Sequence, residues 1–375
     1  MSILFLTYKK GDKNKMKYYK LKNILSKNAI YNMVFGERSN GKTFAVEEYG
    51  IKQYLETGTT MAIVRRWQDD FVGKRGAVMF DGVVKAGVID QLTNGEWTNV
   101  YYYASKWYLC KFDKDNNRIT DANPFCYGFA LTSMEHDKST SYPDITTIMF
   151  DEFLSRGAYL PDEFVLFMNV VSTIVRQRTN VKIFMLGNTV NKYCPYFAEM
   201  GLKHIKDMQP GTIDLYKYGD TKLTVAVEYA KPNKNGKPSD MYFAFDNPKL
   251  QMITGGSWEI DIYPHCPVKL KPKDILFIYY IIFDGETLQC EIVLHNDLFF
   301  TFIHRKTTPI ADENNYIIYS TDYHPEPNYH RYINKPMTQI EHRIAEFYKK
   351  DKIYYADNEV GEIVRNYLLW CNKHK

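Results

Sequence analysis

The sequence lacks the features that would place it among secreted or membrane-spanning proteins. Its 375 residues include six cysteines, none spaced as C-x-x-C, so neither a disulfide framework nor a zinc site is predicted. The longest apolar run, Ile275–Phe283, is far shorter than the about 20 residues of a membrane helix. The apolar start "MSILFLTYKK" is too short for a signal peptide. We therefore expect a soluble, intracellular protein.

Net charge is also small. The formal value of +4 permits a nucleic-acid partner without arguing for one. An apolar content of 45% and a charged content of 25% are those of an ordinary globular chain. The length allows two domains with sizeable cores.

A phosphate-binding loop is present near the amino end. The stretch "GERSNGKT" matches G-x-x-x-x-G-K-[ST], follows the apolar strand "YNMVF" and opens a helix, as phosphate binding by backbone N–H groups requires. Lys42 is predicted to reach the β- and γ-phosphates of ATP, and Thr43 to ligate Mg²⁺. This Walker A loop consists of Gly36, Glu37, Arg38, Ser39, Asn40, Gly41, Lys42 and Thr43.

A strand ending in two acids follows about one hundred residues later. In "ITTIMFDEF", Asp151 is predicted to hold the Mg²⁺ shell, and Glu152 to polarise the attacking water, as in a Walker B strand. An ordinary solvent-facing acid pair is the alternative, which the upstream loop disfavours. A GTPase is disfavoured because "NKYC" has Cys194 where a guanine-binding N-K-x-D motif needs aspartate.

Other polar residues are candidates with open alternatives. Asn188 ends the apolar strand "IFMLGN" and is predicted to sense the γ-phosphate, unless it only forms a turn. Arg176 and Arg178 end a helix, where arginines act as fingers or as dipole partners. Lys138 lies in a polar loop and is similarly ambiguous, and Arg38 competes with Arg176 for the finger role.

The stretch "FVGKRGA" is a candidate DNA contact. Lys74 and Arg75 stand between glycines on an expected mobile loop that could bind a phosphate backbone or be a simple surface turn.

The element pattern predicts an α/β first domain. Strand, loop, helix and strand follow one another between residues 31 and 67, which indicates a βαβ unit and a parallel sheet. Short alternating strands are predicted over 68–130. We expect a first domain over residues 1–205, a linker or lid over residues 206–265, and a second α+β domain over residues 266–375.

These residues together resemble a known family. The stretches "FGERSNGKT", "AIVRRW", "DKSTSYPDITTIMFDEF", "NVVSTIVRQRTNVKIFMLGNTV" and "CPYF" look like the DNA-packaging motor ATPases of small short-tailed phages of the phi-twenty-nine type, relatives of terminases and of FtsK/HerA-like ring ATPases. The resemblance covers most of residues 30–200 and is fainter in "FDGETLQCEI" and "KIYYADNEVGEIVRN".

The resemblance implies a P-loop ATPase domain of the ASCE type and a ring, usually a pentamer, at the portal of an empty procapsid. The ring would drive double-stranded viral DNA inward with ATP and Mg²⁺, in some relatives with a structural packaging RNA. It would act in the host cytoplasm, only transiently on the procapsid. The resemblance also implies that Arg176 reaches the neighbouring subunit's nucleotide, with Lys138 a second trans-acting candidate.

The family's second domain is RNase H-like, which raises the question of nuclease activity. A two-metal nuclease needs several converging carboxylates. The strand "ILFIYYIIF" has none, and the remaining acids, Asp284, Asp322, Asp357 and Glu362, are dispersed along the chain. We expect a vestigial nuclease that binds nucleic acid or the portal without cutting.

Two other functions stay open at this point. One is a terminase-like packaging ATPase with an active, metal-dependent nuclease. The other is a non-motor P-loop protein, such as a small-molecule kinase or a nucleotide-switched scaffold.

Overall fold

A large sheet dominates the first part of the chain. The structure is a computed structural model and describes residues 18–133, 141–155, 159–160, 162–189, 194–232 and 263–373. Within those residues ten strands form this sheet: β1 (Tyr31–Gly36), β2 (Thr60–Arg65), β3 (Asn99–Tyr103), β4 (Lys106–Phe112), β5 (Arg118–Thr120), β6 (Cys126–Ala130), β7 (Ile145–Asp151), β8 (Lys182–Asn188), β9 (Ile213–Lys217) and β10 (Thr224–Tyr229).

The strand order brings distant parts of the chain together at one edge. It is β3-β4-β6-β2-β7-β8-β1-β10-β9, with β5 paired to β4. Strands β6, β2, β7, β8, β1 and β10 pair in parallel, and β3, β4, β5 and β9 pair antiparallel. Because parallel strands share the edge where their carboxyl ends meet, Gly36, Arg65, Asp151 and Asn188 end there. The predicted, mostly parallel α/β sheet is confirmed.

Helices occupy the connections between the strands. Among the described residues, they are α1 (Lys22–Leu25), α2 (Lys42–Thr57), α3 (Lys74–Ala77), α4 (Asp81–Lys85), α5 (Val88–Leu92), α6 (Glu163–Val175), α7 (Pro195–Glu199), α8 (Gln339–Lys349) and α9 (Asn358–Lys373). Short 3₁₀ turns lie at Gln68–Phe71, Ile205–Asp207, Pro272–Asp274 and Glu313–Asn315. Gly58 caps the carboxyl end of α2, and its φ of 71° is left-handed and therefore suits glycine.

Residues 68–92 correct one prediction. Short strands were expected there, but the structure has a 3₁₀ turn and the helices α3, α4 and α5. Each of the helices α4 and α5 buries one apolar side chain, Val83 and Ile89 respectively, and Phe80 is buried just before α4. The expected loop around Lys74 and Arg75 is therefore a one-turn helix, α3.

A second sheet is built from the later strands. Within the described residues it contains β11 (Ile275–Phe283), β12 (Glu286–His295), β13 (Leu298–Arg305), β14 (Ile317–Ser320), β15 (Tyr329–His330) and β16 (Ile353–Tyr355), in the order β15-β14-β11-β12-β13-β16. Strands β11, β12 and β13 form an antiparallel meander, and β14 pairs with β11 in parallel. Asp284 and Gly285 form the predicted turn between β11 and β12, both with positive φ.

Each sheet has its own apolar core. Met61, Ile63, Trp107, Phe125 and Phe184 are among the buried side chains of the first. The second core packs side chains of α8 and α9 against the sheet and includes Tyr279, Ile281, Ile303, Ile344, Ile363 and Tyr367. In the part of the chain that the structure describes, no helix combines the length and apolarity that a membrane crossing requires.

The chain divides into two compact units with interleaved segments. One comprises residues 1–153, 168–189 and 207–257, and the other residues 154–167, 190–206 and 258–375. Strands β9 and β10 fall inside the range 206–265 that was predicted as a linker or lid, because β10 pairs with β1 and extends the first sheet. Residues 233–262 lie outside the described residues, and the predicted division into domains stays a prediction.

Candidate nucleotide-binding site

The loop between β1 and α2 has the backbone conformation of an anion-binding loop. Gly36 and Gly41 have φ values of 155° and 90°, and Ser39 has 58°. A Cβ atom at Gly36 would lie 3.2 Å from the backbone oxygen of Ala230, so the neighbouring strand leaves little room for a side chain. Helix α2 starts at Lys42, and its first N–H groups have no intrahelical acceptor, so this end of the helix is suited to bind an anion.

Lys42 is held inside the loop by oxygen atoms. Its Nζ donates to the backbone oxygens of Glu37 at 2.7 Å and Gly36 at 3.4 Å, and to Oδ1 of Asn40 at 3.2 Å and of Asn188 at 3.4 Å. These oxygens surround the ammonium as phosphate oxygens of a nucleotide would. Burial lowers the pKa of Lys42 to about 8, while Asp151 and Glu37 act in the opposite direction.

Asn40 supplies an independent indication that the loop fits phosphate. The side chain is buried, at 4% exposure, and its Oδ1 accepts from the backbone N–H of Lys42 at 3.3 Å. Its Nδ2 has no hydrogen-bond partner among the described residues. A buried N–H donor without an acceptor is costly, and a phosphate oxygen would satisfy it.

Thr43 and Asp151 meet at the expected place for a Mg²⁺ ion. Thr43 Oγ1 donates to Asp151 Oδ1 at 3.1 Å, although the two residues are far apart in the chain. A hydroxyl and a carboxylate are hard oxygen ligands of the kind that Mg²⁺ prefers. Burial raises the pKa of Asp151, against the opposing effect of Arg65, and the Glu152 carboxylate raises it further.

Arg65, at the end of β2, contacts both acids of the site. Its Nη2 lies 2.8 Å from Asp151 Oδ2 and its Nη1 lies 2.9 Å from Glu152 Oε2. Sequence reasoning missed Arg65, although "AIVRRW" is a strand ending in two arginines. Asp151 and Asn188 were selected because each is a polar residue at the end of an apolar strand, and Arg65 meets the same criterion. Its contact with the acids depends on the pairing of β2 with β7, which the sequence does not show.

Glu47 is a second residue that the sequence reasoning missed. It lies one helical turn after Thr43 and is 4% exposed. Burial raises its pKa to about 8, with a further contribution from Asp151 and an opposing one from Arg65. The only sequence signal was an acid on the buried face of α2.

The structure brings Asn188 into the site and places Arg176 elsewhere. Gly36 and Asn188 are register partners in β1 and β8, which accounts for the contact between Asn188 and Lys42. Arg176 is exposed with a φ of 50° and follows α6. The guanidinium of Arg178, two residues later, donates to the backbone oxygens of Pro143 and Ile145, both at 2.7 Å. The end of α6 therefore lies at the start of β7, at the opposite edge of the sheet from Asp151.

The remaining predicted site residues are either exposed or outside the described residues. Arg38 is exposed on the loop itself. Lys74 and Arg75 are exposed on α3, and Arg75 Nη1 lies 3.5 Å from the backbone oxygen of Asp69. Lys138 lies outside the described residues.

The family follows from comparison with known proteins. The model of the family "Podovirus DNA encapsidation protein (Gp16)" matches residues 13–87 and 118–323, which is more than half of the chain. This chain belongs to that family.

Relatives and solved structures agree with the Gp16 family assignment. The DNA packaging protein of Bacillus phage phi29 is 21% identical over 325 residues, which cover 83% of this chain and 90% of the relative. The fold is similar to that in the bacteriophage Phi-29 viral genome packaging motor assembly, with a TM-score of 0.55, 19% identity and coverage of 96% of this chain and 100% of that one. The Phi-28 gp11 DNA packaging motor gives a TM-score of 0.54, 18% identity and coverage of 95% and 98%. The resemblance inferred from the sequence is confirmed, and this Gp16-family chain is a viral DNA packaging protein.

Proposed function

We propose that this chain is the ATPase that drives viral double-stranded DNA through the portal into a preformed procapsid, as one subunit of a homopentameric ring. The observation that supports the ATPase most strongly is the meeting of Lys42, Asn188, Thr43 and Asp151 at one sheet edge. The packaging role follows from membership in the Gp16 family and from relatives described as DNA packaging proteins. The ring would form in the host cytoplasm and stay on the procapsid only during packaging.

Each side chain of the site has a role that its position supports. Lys42 and the N–H groups of the loop bind the β- and γ-phosphates of ATP. Thr43 and Asp151 would hold Mg²⁺, which supplies charge stabilisation to the phosphates. Glu152, the exposed acid next to Asp151, orients and accepts a proton from the attacking water. Asn188 contacts the loop lysine and would lie near the γ-phosphate of bound ATP, which suits it to report hydrolysis.

An arginine from a neighbouring subunit completes the site. Strand β7 has seven residues, so its two ends lie roughly 20 Å apart. Arg176 is near the amino end of this strand, whereas the phosphate loop is near the carboxyl end. Arg176 is therefore badly placed for its own subunit's nucleotide and well placed on the surface to reach a neighbour's. Lys138 is a second trans-acting candidate, and Arg38 is the rival within the same subunit.

The second sheet supports a role without DNA cleavage. Three carboxylates of this unit surround the guanidinium of Arg305. Its Nε lies 3.3 Å from Glu286 Oε2, its Nη1 lies 3.8 Å from Asp357 Oδ2, and its Nη2 lies 2.9 Å from Glu359 Oε2. An arginine held by these acids competes with any divalent cation for them. Glu362 instead accepts from Tyr263 at 2.8 Å and contacts Arg365 at 3.2 Å. We propose a vestigial, RNase H-like domain that contacts nucleic acid or the portal, and a structural packaging RNA as a further partner in the assembled motor.

DNA contacts are proposed on the exposed cations of α3. Lys74 and Arg75 are both exposed on this helix, which packs near β3 and β4 through the bond from Trp107 Nε1 to the backbone oxygen of Gly76. Contacts to backbone phosphates require no base recognition and weaken with salt.

The experiment that tests the proposal compares the wild-type chain with Glu152→Gln. We expect ATP hydrolysis that is stimulated by procapsid and double-stranded DNA, and a loss of about 10²-fold or more in Glu152→Gln with ATP binding retained. Unchanged hydrolysis in Glu152→Gln would contradict the assigned role. A rate of ATP hydrolysis that does not change when DNA and procapsid are added would favour a non-motor P-loop protein.

A separate assay addresses the nuclease. Supercoiled plasmid is incubated with the full chain and either Mg²⁺ or Mn²⁺. Intact plasmid is expected, and cleavage that disappears in an Asp357→Asn variant would favour the active, terminase-like alternative.

A further inference from the structure

The backbone of Glu152 is held in an unfavourable conformation. Its φ is 63°, in the left-handed region that side chains other than glycine, asparagine and aspartate rarely adopt. The residue comes directly after β7, which ends at Asp151. Such a conformation persists only where surrounding contacts stabilise it, and it is found at functional sites.

Arg66 provides those contacts on one side. Its Nη1 donates to the backbone oxygen of Glu152 at 3.3 Å, and its Nη2 donates to the backbone oxygen of Phe153 at 3.1 Å. The arginine is itself buried, at 8% exposure, and its guanidinium lies 6.0 Å from the ring centre of Phe150. A rigid guanidinium can contact two successive carbonyls at once, which the single ammonium of lysine does less well.

A second anchor lies immediately after Glu152. The backbone N–H of Phe153 donates to the oxygen of Leu186 at 3.1 Å, which ties this residue to β8. The Phe153 side chain is fully buried. The turn at Glu152 is thus held between the arginine from the end of β2 and the neighbouring strand, while the Glu152 side chain is 64% exposed.

We infer that Arg66 is a positioning residue for ATP hydrolysis, which holds the backbone of Glu152 in the left-handed conformation that aims its carboxylate at the attacking water. The inference rests on the proposed role of Glu152. Adjacent arginines then have separate tasks: Arg65 contacts the carboxylates of Asp151 and Glu152, and Arg66 contacts the backbone that carries the second of them.

The test uses Arg66→Gln and Arg66→Lys in the full chain, with ATP, Mg²⁺, DNA and procapsid present. We expect kcat to fall about 10- to 100-fold in Arg66→Gln, because a small misplacement of a catalytic group has effects of this size. The KM for ATP should stay within about twofold, because Lys42 and the loop are untouched. Arg66→Lys should be intermediate. Arg118→Gln, an exposed arginine on β5 that stacks on Tyr101, is the matched control and should behave as wild type.

A double variant separates positioning from general damage. In a Glu152→Gln background, Arg66→Gln should lower the residual rate little further, because the group that it positions is already gone. An equal loss in both backgrounds would overturn the inference, as would a folded Arg66→Lys or Arg66→Gln chain with wild-type kcat. If Arg66→Gln does not fold, Arg66→Lys is measured alone and in combination with Glu152→Gln. The inference then requires a lowered kcat in Arg66→Lys alone and a smaller loss in the Glu152→Gln background. If Glu152→Gln alone keeps full activity, the proposed catalytic role of Glu152 is contradicted. A normal kcat in Arg66→Gln with a low kcat in Glu152→Gln contradicts only the positioning role of Arg66.

Discussion

At the scale of single residues, the proposed nucleotide site combines buried charges of both signs. Lys42, Asp151 and Glu47 are all buried, and burial disfavours the charged form of each. Arg65 stabilises the two acids at the end of β7 through direct ion pairs. Glu47 is different, because the pKa of about 8 keeps its carboxyl group protonated at neutral pH in the folded chain.

The raised pKa of Glu47 has a consequence for stability. The unfolded chain releases this proton near the ordinary pKa of about 4.5, whereas the folded chain keeps it up to about pH 8. The folded state is therefore favoured by this group at low pH, and that contribution is lost as the pH rises between these two values. A Glu47→Gln variant cannot titrate here, so its free energy of unfolding should change less over this window, by at most about 1.4 kcal/mol per pH unit.

Denaturant unfolding of wild type and Glu47→Gln, without nucleotide or Mg²⁺, measures this difference from pH 5 to pH 8. Glu48→Gln, the neighbouring exposed acid, is the matched control. A stability difference between wild type and Glu47→Gln that does not vary with pH would show that the folded pKa is not raised.

At the scale of elements, the end of α6 is fastened to the start of β7 by one side chain. Arg178 donates to four backbone oxygens: those of Pro143, Ile145 and Ile174 at 2.7 Å and that of Tyr142 at 3.1 Å. These carbonyl groups lie at the end of the helix and at the start of the strand, where the regular pattern of backbone hydrogen bonds stops. The arginine thus sets where the following residues, and the preceding Arg176, emerge from the sheet.

We expect Arg178→Ala to lower the free energy of unfolding by about 2 kcal/mol, because hydrogen bonds from a charged donor to partly buried acceptors are lost. Chemical denaturation measures the change, with the neighbouring exposed Gln177→Ala as control. A loss no larger than that of Gln177→Ala would mean that water replaces the guanidinium without cost.

The β12–β13 pair contains a pH-sensitive contact. His304 Nε2 lies 3.2 Å from Glu291 Oε1, and its Nδ1 lies 3.1 Å from the backbone oxygen of Arg305. Both partners are acceptors, so the doubly protonated imidazolium suits this position best. The hydrogen bond with Glu291 raises the pKa of His304 against the effect of burial. Burial alone would raise the pKa of Glu291, but the hydrogen bonds from His304 and Gln289 lower it overall.

The contribution of His304 is therefore complete below the unfolded pKa of about 6.5 and is lost as pH rises through its higher folded pKa. That of Glu291 is complete above about pH 4.5 and is lost as pH falls through its lower folded pKa. A double-mutant cycle with His304→Gln and Glu291→Gln should give a coupling of about 1 kcal/mol at pH 6 and a smaller one at pH 9. Equal coupling at both pH values would contradict the ion pair.

At the scale of the whole molecule, the proposed site is incomplete in one chain. Arg65 neutralises the acids of its own subunit, but the candidate finger, Arg176, lies at the other edge of the sheet. This separation suits a ring in which each nucleotide lies between two subunits, as proposed for this Gp16-family protein.

Mixing two strongly impaired variants, Arg176→Ala and Glu152→Gln, tests whether Arg176 acts on a neighbour. Arg176→Ala alone should lower ring-dependent ATP hydrolysis by about 10³-fold, and Glu152→Gln alone should lower it by about 10²-fold or more. Mixed rings contain interfaces in which an intact Glu152 faces an intact Arg176, so ATP hydrolysis should return on mixing. Mixtures of Glu152→Gln with Lys42→Ala are the control without complementation, because both changes affect the same pocket. No return of activity in the first mixture would mean that Arg176 acts within its own subunit or not at all.

Local patterns predicted much of the fold and part of the site. The loop from Gly36 to Thr43 was recognisable because its eight residues are contiguous and act through their own backbone. Asp151 and Asn188 were found because an apolar strand followed by a polar residue is also a local pattern. Residues 68–92 were mistaken for strands because short elements have few residues from which to read a period.

The sequence by itself determined where the proposed nucleotide loop and the acid pair lie and which family the chain resembles, since each depends on residues close together along the chain or on matched motifs. Only the tertiary structure decided that β2 lies beside β7, which brings Arg65 and Arg66 to Asp151 and Glu152 across 86 residues of sequence. It likewise decided that Arg176 lies away from its own phosphate loop. The physical reason is that ion pairs and backbone contacts between strands depend on strand order and register, which no local pattern of side chains specifies.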